Sequence, residues 1–149
     1  MTLKTYSIGE VAKRFNLTIS TLRYYDKEGL IPNLTKNSNG LRQFSEENLD
    51  TIHLIECLKF AGMQIKDIKI FIEWCNLGDS TLELRRNMFD EVSIAIKEKQ
   101  RQINETLEML QYKQAYYGKA VIDQTEDYVK KQSRTEVLAD FAKLQKHSN

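Results

Sequence analysis

Leu82, Phe89, Ile96, Ile103, Leu110 and Tyr117 recur every seven residues without a break. An apolar repeat of seven, held over five heptads, specifies a helix whose stripe stays on one side and winds against another helix. Asp79-Ser80 supplies a cap for this helix and Gly118 a stop, so the pattern predicts a helix from about residue 80 to Tyr117. Those 38 residues span about 57 Å at 1.5 Å per residue, too long for the rest of a 149-residue chain to cover. A partner is required, and a second copy of the chain carries the matching stripe. The other seam position is mixed (Arg85, Val92, Lys99, Thr106, Lys113), which excludes a simple leucine zipper and leaves the orientation of the pair open.

Two short helices are predicted at the other end of the chain. Ser7-Ile-Gly-Glu10 has the form of a capping box, with Tyr6 and Val11 placed as its hydrophobic staple. A helix from Ser7 to about Phe15 would put Ile8, Val11, Ala12 and Phe15 on one face. Asn16-Leu17 turns the chain into Thr18, an N-cap, and Gly29 closes a second helix. On that helix Ile19, Leu22 and Tyr25 or Asp26 share one side, and Ser20, Arg23, Tyr24 and Lys27 the other. Hydroxyls with one Arg and one Lys are the groups that bond phosphates and base edges in a major groove. Two such helices joined by a tight turn form a helix-turn-helix, whose second helix reads DNA.

Pro32 prevents the second helix from resuming. Asn39-Gly40 then predicts a two-residue type I′ hairpin. The hairpin is a wing with Lys36 on one strand and Arg42 and Phe44 on the other, placed to meet phosphates. Ser45-Glu46-Glu47 caps a third helix running to Gly62, and a fourth spans Ile65 to Asn76. After Gly118 the chain is polar, with one weak amphipathic segment from Thr135 to Leu144 that is expected to be partly ordered.

Charge divides along the chain. Residues 4 to 44 carry seven basic side chains (Lys4, Lys13, Arg14, Arg23, Lys27, Lys36, Arg42) and three acidic ones (Glu10, Asp26, Glu28), a balance of +4. The rest hold the remaining fifteen of 22 basic and eighteen of 21 acidic residues, a balance of −3. The asymmetry places a nucleic-acid surface at the N-terminal end. No run of 18 apolar residues and no signal-peptide core is present, so a cytoplasmic protein without a membrane partner is expected. Cys57 and Cys75 form no Cys-x-x-Cys, which argues against a disulfide framework and a structural zinc site. With only His53 and His147 as histidines, no nucleophile–base pair can be assembled, and neither an enzyme nor a bound cofactor is expected.

Tyr6-x-Ile-Gly-Glu-Val-Ala, Thr18-x-x-Thr-Leu-Arg-Tyr-Tyr-Asp-x-x-Gly-Leu-Ile31, a hairpin ending Gly40-Leu-Arg-Gln-Phe44 and the long helix together resemble the MerR family of bacterial transcription regulators. The resemblance covers residues 5 to about 117. It implies an all-α fold with a small β-hairpin wing: a winged helix-turn-helix domain over residues 5–74, a dimerisation coiled-coil helix over 79–117 and a short tail over 118–149. Homodimers of the family pair antiparallel, bind a pseudopalindromic promoter in double-stranded DNA and distort an overlong spacer so that RNA polymerase engages both hexamers. The deformation cost depends on spacer bases the protein never touches. Carried over residue by residue, Arg23, Tyr24 and Arg42 would contact phosphates, with Thr18, Ser20 and Thr21 near base edges. Phe44 stands where the family usually has tyrosine, so it lacks the hydroxyl for one phosphate contact.

The C-terminal part lacks the cysteines of the family's metal and iron–sulfur sensors and the length of a multidrug-binding domain. The chain is thus similar to the small thiol- and aldehyde-responsive (AdhR/NmlR-like) subgroup, which implies a stress-response role with Cys57 as the electrophile sensor. His53, four residues earlier, and Lys59 would favour its thiolate. The competing reading of Cys57 is a small buried hydrophobe, and Cys75 and Trp74 read as packing residues. Two other functions compete with transcription regulation. A DNA-bending architectural or excisionase-like protein is opposed by the long helix, and a coiled-coil protein that never touches DNA is opposed by the basic N-terminal segment.

Overall fold

The computed structural model describes residues 4–146; His147 lies outside them. Strand β1 (Tyr6–Ser7) leads into α1 (Ile8–Phe15) and α2 (Ile19–Lys27). Strands β2 (Thr35–Lys36) and β3 (Arg42–Phe44) follow, then α3 (Glu46–Phe60), α4 (Ile65–Asn76), a 3₁₀ turn (Gly78–Thr81), α5 (Leu82–Asp123), a second 3₁₀ turn (Val129–Lys131) and α6 (Arg134–Lys146). Contacts divide the chain into two compact units, one up to Ile96 and one from Lys97 onward. Among the described residues no helix is long and apolar enough to cross a membrane.

In the first unit the caps act as the residues dictate. Ser7 Oγ accepts from the Glu10 N–H, and the Glu10 carboxylate accepts from the Ser7 N–H at 2.7 Å. These bonds from Ser7 hold the Glu10 carboxyl below its usual range. Asn16 closes α1 at φ 53°, in the left-handed region that asparagine tolerates. Ser45 and Asn48 form a second capping box, and Asn48 also donates to the Pro32 carbonyl at 2.9 Å, tying the start of α3 to the loop after α2.

The apolar faces of α1 to α4 close one core. Leu22 and Tyr25 of α2, Phe44 of β3, Leu49, Ile52, Ile55 and Leu58 of α3, and Ile68 of α4 are buried within it. The recurrence of apolar residues every third position along α3 puts one line of side chains against α2 and the sheet. Met88 of α5 is buried in the same core, and the Phe89 ring meets Phe71 of α4 edge-on at 5.3 Å.

Three differences from the sequence expectation have physical causes. The wing has a third strand, because Tyr6 and Ser7 pair antiparallel with Phe44 and Gln43; two residues are too few to show a period of two. Its turn is not of type I′: Gly40 has a positive φ of 75°, and Asn39 is not among the positive-φ residues. Asn37 instead organises the turn, its Oδ1 accepting from the Asn39 and Leu41 N–H groups and its backbone N–H donating to the Leu41 carbonyl. This is a three-residue loop with glycine in the left-handed position. Finally, the first residues after Asn76 form the 3₁₀ turn, so Asp79-Ser80 does not cap α5, which starts at Leu82.

In the second unit α5 passes through Gly118 and ends at Asp123, beyond the expected limit of 117. A Cβ at Gly118 would overlap the Phe141 ring of α6. The glycine is a packing residue, and close approach offsets the roughly 1 kcal/mol that an interior glycine costs a helix. Gln124, at φ 57°, provides the stop, with the Thr125 N–H donating back to Ala120. The polar tail is ordered here: Val129 and Val137 bury against Ala115, Tyr116 and Ala120. Tyr116 donates to Glu126 at 2.8 Å, and that bond, with burial second, pushes its phenol up to about 12.

Candidate nucleic-acid interface

Thr18 Oγ1 accepts from the Thr21 N–H at 3.0 Å and starts α2 in the expected register. Leu22 and Tyr25 consequently turn inward, and Ser20, Arg23, Tyr24 and Lys27 lie exposed together. Thr18 is exposed and Thr21 half-buried, their hydroxyls 2.8 Å apart at the entrance of the helix. Ile19, expected on the packed side, is exposed.

The wing stands beside this face with Thr35 opposite Gln43 and Lys36 opposite Arg42. Lys36 is exposed. Arg42 Nε donates to Asp26 Oδ2 at 2.7 Å, fastening the wing to the recognition helix and leaving the terminal nitrogens of the guanidinium as donors. Arg23, Arg42, Gly40, Leu41 and the start of α1 line one small notch of about 120 Å³. The fold therefore brings two guanidiniums, one from the helix and one from the wing, to a common edge. Asp26 as the group that orients Arg42 was missed in the sequence; a carboxylate on the recognition helix of a DNA reader was the available signal.

Phe44 requires a correction. It is fully buried and is the Cα partner of Tyr6, so it is a core residue and not a DNA contact. The period of two puts Arg42 and Phe44 on one face of β3. Near the turn that face meets Asp26, and at the other end it meets the core.

The residues of the seven-residue repeat, expected to form a dimer seam, fall differently in the two units. In the first, Leu82 is exposed, Phe89 packs partly on Phe71, and Ile96 is half-buried. The presumed second seam is used within the chain there, since Val92 packs on the core and Arg85 donates to the Gly78 carbonyl at 3.0 Å. In the second, every residue of α5 from Lys97 to Gln111 is exposed, including Ile103, Leu107 and Leu110. Tyr117 and Val121 continue that exposed face. Leu107 and Val121, four residues after Ile103 and Tyr117, are exposed apolar residues, and Thr106 and Lys113 of the other expected seam position are exposed as well.

Cys57 is exposed and lies in an apolar groove of about 940 Å³ between α3 and the first half of α5, lined by His53, Phe60, Phe89, Val92 and Ile96 among others. It is not the buried hydrophobe of the competing reading. Its Sγ is 3.8 Å from His53 Nε2. Lys59 does not serve the thiol: two positions on, it has turned to donate to the Tyr25 hydroxyl at 2.6 Å. Cys75 is also exposed rather than packed, whereas Trp74 leans on the core.

Residues 6–73 match the family described as MerR HTH family regulatory protein. An uncharacterized HTH-type transcriptional regulator of Haemophilus influenzae is 39% identical over 116 residues, spanning 78% of this chain and 86% of that protein. The HTH-type transcriptional regulator AdhR of Bacillus subtilis is 39% identical over 82 residues, 55% of this chain and 59% of its own. Among solved structures, the crystal structure of HiNmlR, a MerR family regulator lacking the sensor domain, bound to promoter DNA, superimposes with a TM-score of 0.74 at 36% identity, covering 84% of this chain and 99% of that one.

Proposed function

The chain belongs to the MerR family of helix-turn-helix transcription regulators, and on that premise we propose that it binds a pseudopalindromic promoter as a homodimer, distorts an overlong spacer to engage RNA polymerase, and responds to electrophiles through Cys57. The observation that carries the DNA reading is the exposed row Ser20, Arg23, Tyr24 and Lys27 beside a wing whose Arg42 is held by Asp26. Residues 5–74 form the DNA-binding part in this reading, and α5 is the dimer helix. Its wholly exposed middle stretch with Ile103, Leu107 and Leu110 supports a second copy as partner.

Arg23 and Arg42 meet phosphates, so Arg23→Ala and Arg42→Ala each weaken binding on specific and non-specific DNA alike. The slope of log K against log salt falls by about 0.9 for each lost contact. Titrations at several salt concentrations read this directly; a changed base preference with an intact slope would remove the phosphate role.

An exposed thiol in a large apolar groove, with an imidazole 3.8 Å away, supports Cys57 as the group attacked. Addition forms an Sγ–carbon bond to the aldehyde carbonyl carbon, and the thiol proton ends on the carbonyl oxygen. Cys57→Ser binds promoter DNA within about 1 kcal/mol of the parent, as near-neutral surface changes do, yet transcription from the promoter upstream of its own gene no longer responds to a thiol-reactive aldehyde. Cys75→Ser still responds. An undiminished response in Cys57→Ser would end the sensing role.

A further inference from the structure

Glu56 and Lys59 sit on either side of Cys57 in sequence, line the same groove, and are bonded directly to the recognition helix. The Tyr25 hydroxyl of α2 donates to Glu56 Oε1 at 2.6 Å, and Lys59 Nζ donates to the Tyr25 oxygen at 2.6 Å. Lys59 also lies 3.5 Å from Glu56. Tyr25 is otherwise enclosed, with its residue only 1% exposed. The phenol has one polar outlet, and that outlet is the rim of the groove.

Protonation keeps the link intact at neutral pH. Burial, followed by the bond to Glu56, pushes the Tyr25 phenol up, and the bond to Tyr25 pushes the Lys59 ammonium up. A raised phenol loses its proton only as pH rises through the folded value, well into the alkaline range, so it remains a donor where the protein works. The next residue along α2, Asp26, holds Arg42 of the wing at 2.7 Å. Two adjacent residues of the recognition helix thus reach opposite ways, Tyr25 to the groove and Asp26 to the DNA-contacting wing.

We propose that Tyr25, Glu56 and Lys59 are positioning residues that convert occupancy of the Cys57 groove into movement of the recognition helix and, through Asp26 and Arg42, of the wing. The link rests on the groove being the regulated site. An adduct on Cys57 occupies the space beside Glu56 and Lys59; displacing either breaks a bond to a buried phenol, and a packed core answers by changing arrangement rather than by deforming smoothly. Spatial adjacency alone does not establish coupling, so the test must read the response and not the contact.

The test uses the full chain with Cys75→Ser, labelled at Cys57 with N-ethylmaleimide. The Sγ–carbon bond forms as the alkene opens, and the thiol proton ends on the neighbouring carbon. Hydrogen exchange of the α2 amides is compared with and without label. Labelling speeds α2 exchange about threefold or more when Tyr25 and Lys59 are native, because local opening sets these rates. In Tyr25→Phe and in Lys59→Met, exchange before and after labelling is the same, while unlabelled DNA affinity matches the parent. Lys59→Arg, which keeps a donor, retains the response. Lys59→Met changes an exposed residue and stays informative should Tyr25→Phe fold poorly. Labelling without effect on α2 in the parent overturns the link, as does a full response in Tyr25→Phe or Lys59→Met; the aldehyde response of Cys57→Ser is measured separately and stands or falls apart from it.

Discussion

A chain carrying Ile103→Lys and Leu110→Lys is expected to sediment as a monomer of 17.5 kDa, and the parent, as the proposed homodimer, at twice that mass. Both residues are more than half exposed on α5, at 58% and 53%, within a stretch whose residues are all exposed from Lys97 to Gln111. Replacing them leaves the fold of one copy untouched, because surface substitutions change stability by no more than about 0.5 kcal/mol. In a dimer the same positions sit in the apolar seam, and two lysines per copy bring four charges together there. Loss of the dimer removes the second DNA-binding unit. Binding two half-sites as one molecule gains about 10²- to 10⁴-fold over one alone, so promoter affinity falls by at least about 100-fold. Far-UV helicity of the variant stays at the parent level at low temperature apart from fraying of α5. A stable parent monomer at micromolar concentration, or a variant that still dimerises, would end the coiled-coil assignment.

Phe44→Ala loses about 3–5 kcal/mol in urea unfolding, the usual cost of deleting a buried aromatic ring. Domains carry only about 5–15 kcal/mol in all, so the loss is a large fraction of the total and the variant unfolds at a much lower urea concentration than the parent. Tyr24→Ala gives the opposite result: with the side chain about half exposed, stability changes by roughly 0.5 kcal/mol or less, and DNA binding weakens. The pair separates two aromatic residues that the sequence grouped together as DNA contacts. If Phe44→Ala unfolded at the parent urea midpoint and only lost DNA affinity, the core assignment would be wrong.

Local rules were legible wherever the deciding partners are near in sequence. Ser7 with Glu10, Thr18 with Thr21, and the start of α3 at Ser45 all involve atoms three residues apart, within reach of a backbone that has only two soft dihedrals per residue. The same locality made the exposed face of α2 readable, since Leu22 and Tyr25 facing the core leaves Ser20, Arg23, Tyr24 and Lys27 outside. The family assignment followed from these residues and their spacing to the wing, and the comparisons support it.

Misreadings arose where one residue had two physical uses. Gly118 reads as a helix stop, but a glycine also admits a ring, and only α6 folding back shows that Phe141 occupies the space. Asn39-Gly40 reads as a type I′ turn until Asn37, two residues earlier, takes the N–H groups with its side chain.

The sequence by itself determined the first four helices, the caps that start α1, α2 and α3, the exposed face of α2 and the wing's position, because these depend on hydrogen bonds and periodicities spanning a few residues. Only the tertiary structure decided which face of β3 becomes core, which residues at the start of α5 pack within the chain, where Lys59 points and that Cys57 opens into a groove. Each of those depends on what a distant segment brings near: Tyr6 to Phe44, Trp74 and Phe71 to the start of α5, and Tyr25 to Glu56 and Lys59, 31 and 34 residues away. Periodicity shows that a side chain has a face. It takes the packed neighbour to show whether that face is buried, bonded or left for a partner.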